Sequence, residues 1–462
     1  MRAGMSRQVR RWGIGAYERA TGRRVMAAFE GLLRTQWQSR DELQALQARK
    51  LQALVEYANK YVPYYQRLFR EVGFEPGDLR HDPDCFRHLP TIDKNRVREH
   101  TTELLTTDLA RRQTMQQHST SGSTGAPLVF WEDGTYRDHV TADVLRHMTW
   151  GGWRFGDPHV YLWGLGSAQS LKQSVRSSFM NWALNRAVHD SLVLSEKTMH
   201  SLVKDIQRRK PSLLFGYASS LYQFAQFVRQ QNPYRIQLEA IFSSAEVLYP
   251  HQRAVIEETF GCRVFDRYGA LEAGGLACEC EAHTAMHMSV ENCVIEILNG
   301  DRPALPGESG QVVVTNLNNL GFPFVRYRLD DIAQLSSRHG CPCGRHHPML
   351  EIVDGRRCDL FRTRDGRTVR SFAQAALAVQ GIKQFQIIQK SLDLILIRIV
   401  AEPGFDTSQL EVIKHLGREV MGPDTEVMFE FCDTIPLEGS GKFRYAKTEL
   451  GDLPEARPDS EQ

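Results

Sequence analysis

Apolar positions change period several times along the chain, and each change marks an element. In the first 75 residues Leu43, Leu46, Leu51, Leu54, Val55 and Ala58 recur at helical spacing. That stretch ends at Tyr61-Val62-Pro63-Tyr64-Tyr65, where the proline predicts a helix break. From about residue 115 to 330 short apolar runs alternate with helical stretches. HVYLWGLG (159–166), SLLFGYASS (212–220), LEAIFSSAE (238–246) and GCRVFDRYGALE (261–272) read as buried strands, with the helix-like HQRAVIEETFG after the third. Such alternation implies parallel sheets covered by helices. CVIEILN (293–299) and GQVVVTNL (310–317) alternate as antiparallel strands do. Beyond Gly355, the strands FQIIQK and LILIRIVA and the helix SQLEVIKHLGREV form a separate small α+β unit. The expected class is α/β. A helical extension (1–75) leads into a large domain (76–354) of mostly parallel sheets with a β-rich subdomain, and a small domain (355–462) follows.

Composition fits this picture. With 462 residues, 42% hydrophobic and 24% charged, the chain is ordinary globular protein with room for several domains. Lys plus Arg number 57 against 55 Asp plus Glu, which argues against a global polyanion-binding surface. No run approaches the ~18 apolar residues of a membrane span, and the N-terminus lacks the apolar stretch of a secretory signal. Nine cysteines, four of them in two Cys-x-Cys pairs, favour metal ligation in a reducing cytoplasm over disulfides. The expected location is therefore cytoplasmic.

The strongest local motif is HSTSGSTGAPLVF (118–130), containing Ser121, Gly122, Ser123, Thr124 and Gly125. Glycines let the backbone approach a ligand, and hydroxyls and N–H groups bind phosphate oxygens. A plain flexible Ser/Gly loop is the competing reading. No Lys follows the last Gly, so this is not a P-loop; GSGK (439–442) is not one either, because Pro436 and Phe443 break the pattern. Further segments follow in order: Ser244-Ala245-Glu246, Tyr268-Gly269-Ala270-Leu271-Glu272, Arg326-Tyr327-Arg328-Leu329-Asp330-Asp331, Gly355-Arg356-Arg357-Cys358-Asp359 and Gly441-Lys442-Phe443-Arg444.

With these six motifs in order, the sequence resembles the adenylate-forming superfamily of acyl-CoA synthetases. Within it the chain looks most like the phenylacetate–CoA ligase branch and its capsule-biosynthesis relatives. The resemblance implies that a carboxylic acid attacks the α-phosphate of ATP to give an acyl-adenylate, and that a small mobile C-terminal domain then rotates for transfer to coenzyme A or another thiol. It assigns 121–125 to the phosphates, Glu272 to magnesium, Tyr268, Ala245 and Glu246 to adenine, and Asp331 with Arg356 to the ribose. Lys442 would be the catalytic cation at the reacting phosphate, and Cys358-Asp359 the hinge. A hard magnesium ion suits a carboxylate and phosphate oxygens. Two positions depart from the family: Asp330 stands where it carries Gly, and Cys358 replaces the first hinge Asp. The capsule relatives imply an alternative in which an acyl or aminoacyl group passes to a sugar or a carrier. A further alternative is a non-catalytic nucleotide-binding relative. Trp163 and Tyr217 are candidate walls of the acid pocket.

A second constellation joins Cys278-Glu279-Cys280 and His283–His287 to Cys341-Pro342-Cys343-Gly344-Arg345-His346. Thiolate and imidazole in two such turns suit tetrahedral, structural zinc. Similar relatives pick out Cys280, His287, Cys341 and Cys343, with Cys278 the rival for His287; buried free thiols are the bland alternative. A zinc-dependent nucleic-acid binder is disfavoured, because basic residues and aromatics do not interleave near the cysteines. The first 35 residues carry eight Arg and two Glu, a net +6, among Trp12, Tyr17, Val25, Met26 and Phe29. A solvated or partner-facing helix is the preferred reading; peripheral docking at the inner face of an anionic membrane is the alternative.

Overall fold

The computed structural model describes residues 2–119, 128–164, 171–191, 194–231, 236–356, 360–365, 368–370, 381–436 and 446–450. These divide into two compact units, residues 1–329 with 333–353 and residues 330–332 with 354–462.

The first unit begins with helices α1 (Arg2–Thr21), α2 (Val25–Thr35), α3 (Arg40–Tyr61) and α4 (Pro63–Val72). Ser39 and Glu42 close a capping box at the start of α3, and Pro63 occupies the first turn of α4, where its missing N–H costs no helical bond. Tyr65, fully buried, donates to the Pro323 carbonyl at 3.0 Å and accepts from Val325 N–H at 3.0 Å, so the VPYY segment is bolted to the large domain. The basic N-terminal segment is bound to the body of the unit. Arg7 pairs with Asp157, Arg11 with Glu30 and Arg23 with Asp138, and Tyr17 stacks on Phe179 at 5.2 Å. Two of its arginines are thus matched by carboxylates elsewhere in the unit, and a third by Glu30 of the segment itself. Among the described residues no helix is long and apolar enough to cross a membrane.

Short helices α5 (Lys94–Glu99) and α6 (Leu109–Arg112) lead to the hairpin β1 (Gln116–Ser119) and β2 (Val129–Glu132), and then to α7 (Gly134–Trp150). The strands β3 (His159–Trp163), β4 (Arg186–Asp190), β5 (Leu213–Gly216), β6 (Ala240–Ser244) and β7 (Arg263–Ala270) follow. Between them run α8 (Leu171–Ala183), α9 (Glu196–Arg209), α10 (Ala218–Gln230) and α11 (Pro250–Phe260). These five strands are mutually parallel in the order β4-β3-β5-β6-β7. Alternation sorts their side chains: Val160, Leu162, Leu214, Ile241 and Val264 pack with residues of α9, α10 and α11. Tyr161, Trp163, Phe215, Phe242 and Phe265 pack on the side of α7.

The β-rich part continues the same sheet, because β7 turns back antiparallel into β8 (Gly274–Glu279). Then come β9 (Met286–Met288), β10 (Cys293–Asn299), β11 (Arg302–Pro303), β12 (Ser309–Asn316), β13 (Tyr327–Leu335) and β14 (Met349–Arg356). The result is one mixed sheet of twelve strands, ordered β11-β10-β12-β13-β14-β9-β8-β7-β6-β5-β3-β4. As alternation predicts, β10 and β12 pair antiparallel. In the second unit β15 (Leu360–Arg362) pairs with β16 (Thr368–Arg370). A four-stranded sheet there runs β19 (Glu426–Phe431), β18 (Leu394–Ala401), β17 (Ile382–Gln389), β20 (Ala446–Thr448). Helix α12 (Leu410–Met421) covers it through Leu410 and Ile413, which join Ile387, Ile395, Ile397 and Ile399 in a separate core.

Candidate active site and metal centre

In open α/β sheets ligands bind beyond the carboxyl ends of the parallel strands. Here β3 ends at Trp163, β5 leads to Tyr217, β6 runs into Ala245-Glu246, and β7 carries Tyr268 on towards Glu272. Four of the predicted segments therefore share one edge of one sheet.

Each is held by a local device. Ala245 has φ of +70°, a left-handed conformation that residues with side chains adopt only when their surroundings enforce it. The enforcement comes from both neighbours. Ser244 Oγ donates to the Arg267 carbonyl at 3.0 Å, and Glu246 Oε2 accepts from Ser219 N–H at 2.8 Å in the first turn of α10. A carboxylate there also meets the positive end of the helix dipole. The β7–β8 register shifts at Tyr268/Gly269, and a Cβ on Gly269 would lie 2.6 Å from the Gly274 carbonyl, so only glycine permits this turn. Glu272 is buried, with 7% exposure. It faces Tyr136 of α7, whose phenol is driven well above its usual value by burial, with Glu132 and Glu272 adding to it. Trp163 and Tyr217 lie ring against ring at 4.2 Å, with the stacked rings of Tyr161, Phe215, Phe242 and Phe265 beneath. Burial pushes the Tyr217 phenol up.

Asp331 lies on β13, whose start is anchored by Arg326. That residue, itself at φ +50°, pairs with Glu296 at 2.9 Å. Arg356 is the last residue of β14. Residues Ser121, Gly122, Ser123, Thr124 and Gly125, the hinge pair Cys358-Asp359 and Lys442 lie outside the described residues. The hairpin that brackets 121–125 is described: its last pair is Ser119 with Val129, and Glu132 at its base is pushed up to about 7 by burial, 3.2 Å from His118 Nε2.

The cysteine segments meet. Ligand atoms of Cys280, His287, Cys341 and Cys343 all lie within 4.8 Å of one another. Cys280 and Cys341 sulfurs are 3.5 Å apart, and Cys343 Sγ is 3.3 Å from His287 Nε2. Tetrahedral zinc with sulfur at ~2.3 Å needs neighbouring sulfurs ~3.7 Å apart, so the donor set fits the ion. Cys278 is not among these donors; it is buried in the layer that contains Phe265 and Met148. Hydrogen bonding between Cys280 and Cys343 holds the second thiol low and the first high, as in two sulfurs that share one proton. Arg345 supports it: its N–H donates to Cys343 Sγ, its guanidinium pairs with Glu281 at 2.8 Å, and it lies over Trp37 and Trp150.

Behind both sites runs a fully buried network that pattern reading missed. Arg146 donates to Asp143 at 2.6 Å and to Glu291 at 2.7 Å, all three at most 2% exposed. Glu291 also receives Thr35 Oγ1 and lies 3.2 Å from His347 Nε2. Asp143 lies 3.8 Å from Arg267 Nη2 and accepts from Ser289 Oγ at 3.1 Å. Arg267 Nε donates to His147 Nδ1 at 3.3 Å. One signal was available: Asp143, Arg146 and His147 at i, i+3 and i+4 put three polar groups on one face of α7.

Comparison with known proteins bears on the fold. Over 90% of its length, and 92% of the other chain, the structure superposes on 2-hydroxyisobutyryl-CoA ligase in the postadenylation state, with TM-score 0.73 and 20% identity. The chain has the fold of the adenylate-forming CoA ligases. In sequence, the chain is 26% identical to the phenylacetate–coenzyme A ligase of Thermus thermophilus over 83% of its length and 86% of that protein. It is 22% identical to Protein CapK of Staphylococcus aureus over 88% of its length and 89% of that protein. Residues 361–449 match the CapK C-terminal domain.

Proposed function

We propose that this chain activates a small carboxylic acid with ATP as an acyl-adenylate and transfers the acyl group to coenzyme A, as an acid–thiol ligase of the phenylacetate–CoA ligase type. The observation that carries this reading is the convergence of Trp163, Tyr217, Ala245-Glu246 and Tyr268–Glu272 at the carboxyl ends of β3, β5, β6 and β7, in a fold shared with a ligase bound to an acyl-AMP.

The acid's carboxylate attacks the α-phosphorus, and pyrophosphate leaves. Negative charge grows on phosphate oxygens, so donors already aimed there lower the barrier without reorganising. By the resemblance, the hydroxyls and N–H groups of 121–125 would serve as such donors, and Lys442 would add a point charge at the reacting phosphate. Tyr268 and the Ala245-Glu246 turn hold the adenine, while Asp331 and Arg356 orient the ribose. Trp163 and Tyr217 wall the acid. Glu272 would hold magnesium: it offers a buried carboxylate, and a hard cation there would neutralise phosphate charge. Cys280, His287, Cys341 and Cys343 would hold a zinc in a structural role. The test is product analysis with ATP, magnesium, coenzyme A and an acid panel. Acid-dependent release of AMP with a matching thioester supports the reading; ATP turnover that ignores the acid overturns it. A second reading, which rests only on the resemblance to capsule-biosynthesis relatives, has a sugar or carrier as the acceptor. In that case AMP forms without a thioester until such an acceptor is supplied.

A further inference from the structure

The two sites share one rung of the sheet. Ser244 pairs with Arg267, Arg267 with Cys278, and Cys278 with His287. Directly paired residues project from the same face, so Arg267 and His287 both point towards α7. Three strand spacings of ~4.8 Å put the ends of this rung ~14 Å apart. At one end is the metal ligand His287; at the other is Ser244, whose hydroxyl ties Arg267 to the strained Ala245. Arg267 also immediately precedes Tyr268, the residue after which the β7–β8 register shifts into the turn that carries Glu272.

The side chains repeat this connection above the sheet. Arg267 is gripped by Asp143 and His147, Asp143 by Arg146, Arg146 by Glu291, and Glu291 by His347, whose ring lies 6.1 Å from that of His287. Gly275 makes the grip possible. A Cβ there would lie 2.2 Å from Arg267 Nη2 and 2.3 Å from Asp143 Oδ2. Opposite charges balance, with Arg146 and Arg267 facing Asp143 and Glu291. Interiors packed in this way transmit displacements between discrete arrangements rather than absorbing them.

The geometry points to Arg267 as a positioning residue through which the Cys280–His287–Cys341–Cys343 metal cluster sets the nucleotide site. The inference rests on the ligase and zinc readings above. Metal occupancy holds His287 and its strand; the rung and the buried ion pairs carry that register to Arg267; Arg267 fixes where the turn bearing Tyr268 and Glu272 begins.

The test is a thermodynamic cycle on the full chain, read as ATP affinity by calorimetry, with zinc stripped by a chelator that is then dialysed away. Coupled sites commonly alter each other's affinity 5–150-fold. Zinc removal from the wild type is expected to weaken ATP binding about tenfold, and readdition of zinc to restore it. Arg267→Met is expected to weaken ATP binding by a similar factor while keeping one zinc per chain, and zinc removal should then add less than twofold. Arg267→Lys, which keeps the charge but loses the fork, should fall between and stands in should the Met variant not fold. Unchanged ATP affinity after zinc removal, or effects that simply multiply, overturns the inference. A wild type that binds no ATP overturns the ligase reading instead, and a metal-free chain that zinc does not affect overturns the zinc reading.

Discussion

Arg146→Met gives the sharpest structural prediction. The guanidinium is fully buried and is the shared partner of Asp143 at 2.6 Å and Glu291 at 2.7 Å. Methionine matches much of its stem, so the change removes charge more than volume. Asp143 then keeps Arg267 at 3.8 Å and His147 at 3.6 Å, and Glu291 keeps His347 at 3.2 Å, as described ion-pair partners. Breaking a buried pair on one side costs about 3–5 kcal/mol. Unfolding entropy of about 2.1 cal/mol/K per residue over a unit of about 350 residues is about 0.7 kcal/mol/K, so Tm should fall by about 4–7 °C. The sign of the pH dependence also follows. In the wild type burial raises the Glu291 carboxyl, but Arg146 and then His347 outweigh it and hold the group well below its usual range, so its stabilisation is present above about pH 4.3 and lost as pH falls through the folded value. Without Arg146 the largest charge that offsets burial is gone and only His347 opposes it, so the folded pKa rises and the carboxylate's stabilisation at neutral pH is lost. The deficit should be widest at pH 7–8 and narrow towards pH 5. Melting followed by circular dichroism across that range is the assay. A loss below about 1 kcal/mol, or one that widens in acid, would refute the buried-charge reasoning.

Three further outcomes are expected. Freshly purified protein should carry about one zinc per chain by elemental analysis, and Cys343→Ser should lose it; metal-free protein from zinc-replete cells would contradict the structural-zinc assignment. Lys442→Ala should slow acyl-adenylate formation about 10²–10³-fold, roughly 3–4 kcal/mol, while sparing capture from a supplied acyl-adenylate. Equal slowing of both half-reactions would make Lys442 a scaffold residue. Gly275→Ala should weaken ATP binding by crowding Arg267 and Asp143, and a wild-type affinity would show that this contact has slack.

Much of this was legible in sequence because the parallel strands are short apolar runs and their ends carry ligand-facing residues. HVYLW, LLFG and AIFSS became β3, β5 and β6 almost as read. Periodicity could not show that β7 turns straight into β8, so the β-rich part looked like a subdomain rather than seven more strands of the same sheet. That outcome depends on a register shift and a close approach at Gly269, which are tertiary facts. The buried network was illegible for a related reason. Arg146, Glu291, His347 and Arg267 are scattered over 202 positions and read singly as surface charges until the sheet stacks them beneath α7.

The central claim is acid-dependent chemistry at the α-phosphate, and isotope exchange between pyrophosphate and ATP tests it most directly. The exchange should be run with magnesium, without coenzyme A, across aryl, hydroxy, amino and fatty acids. The account predicts exchange that appears with at least one acid, saturates with it and vanishes without it. Protein that binds ATP yet exchanges no pyrophosphate with any acid would be a nucleotide-holding relative, and the ligase assignment would be wrong.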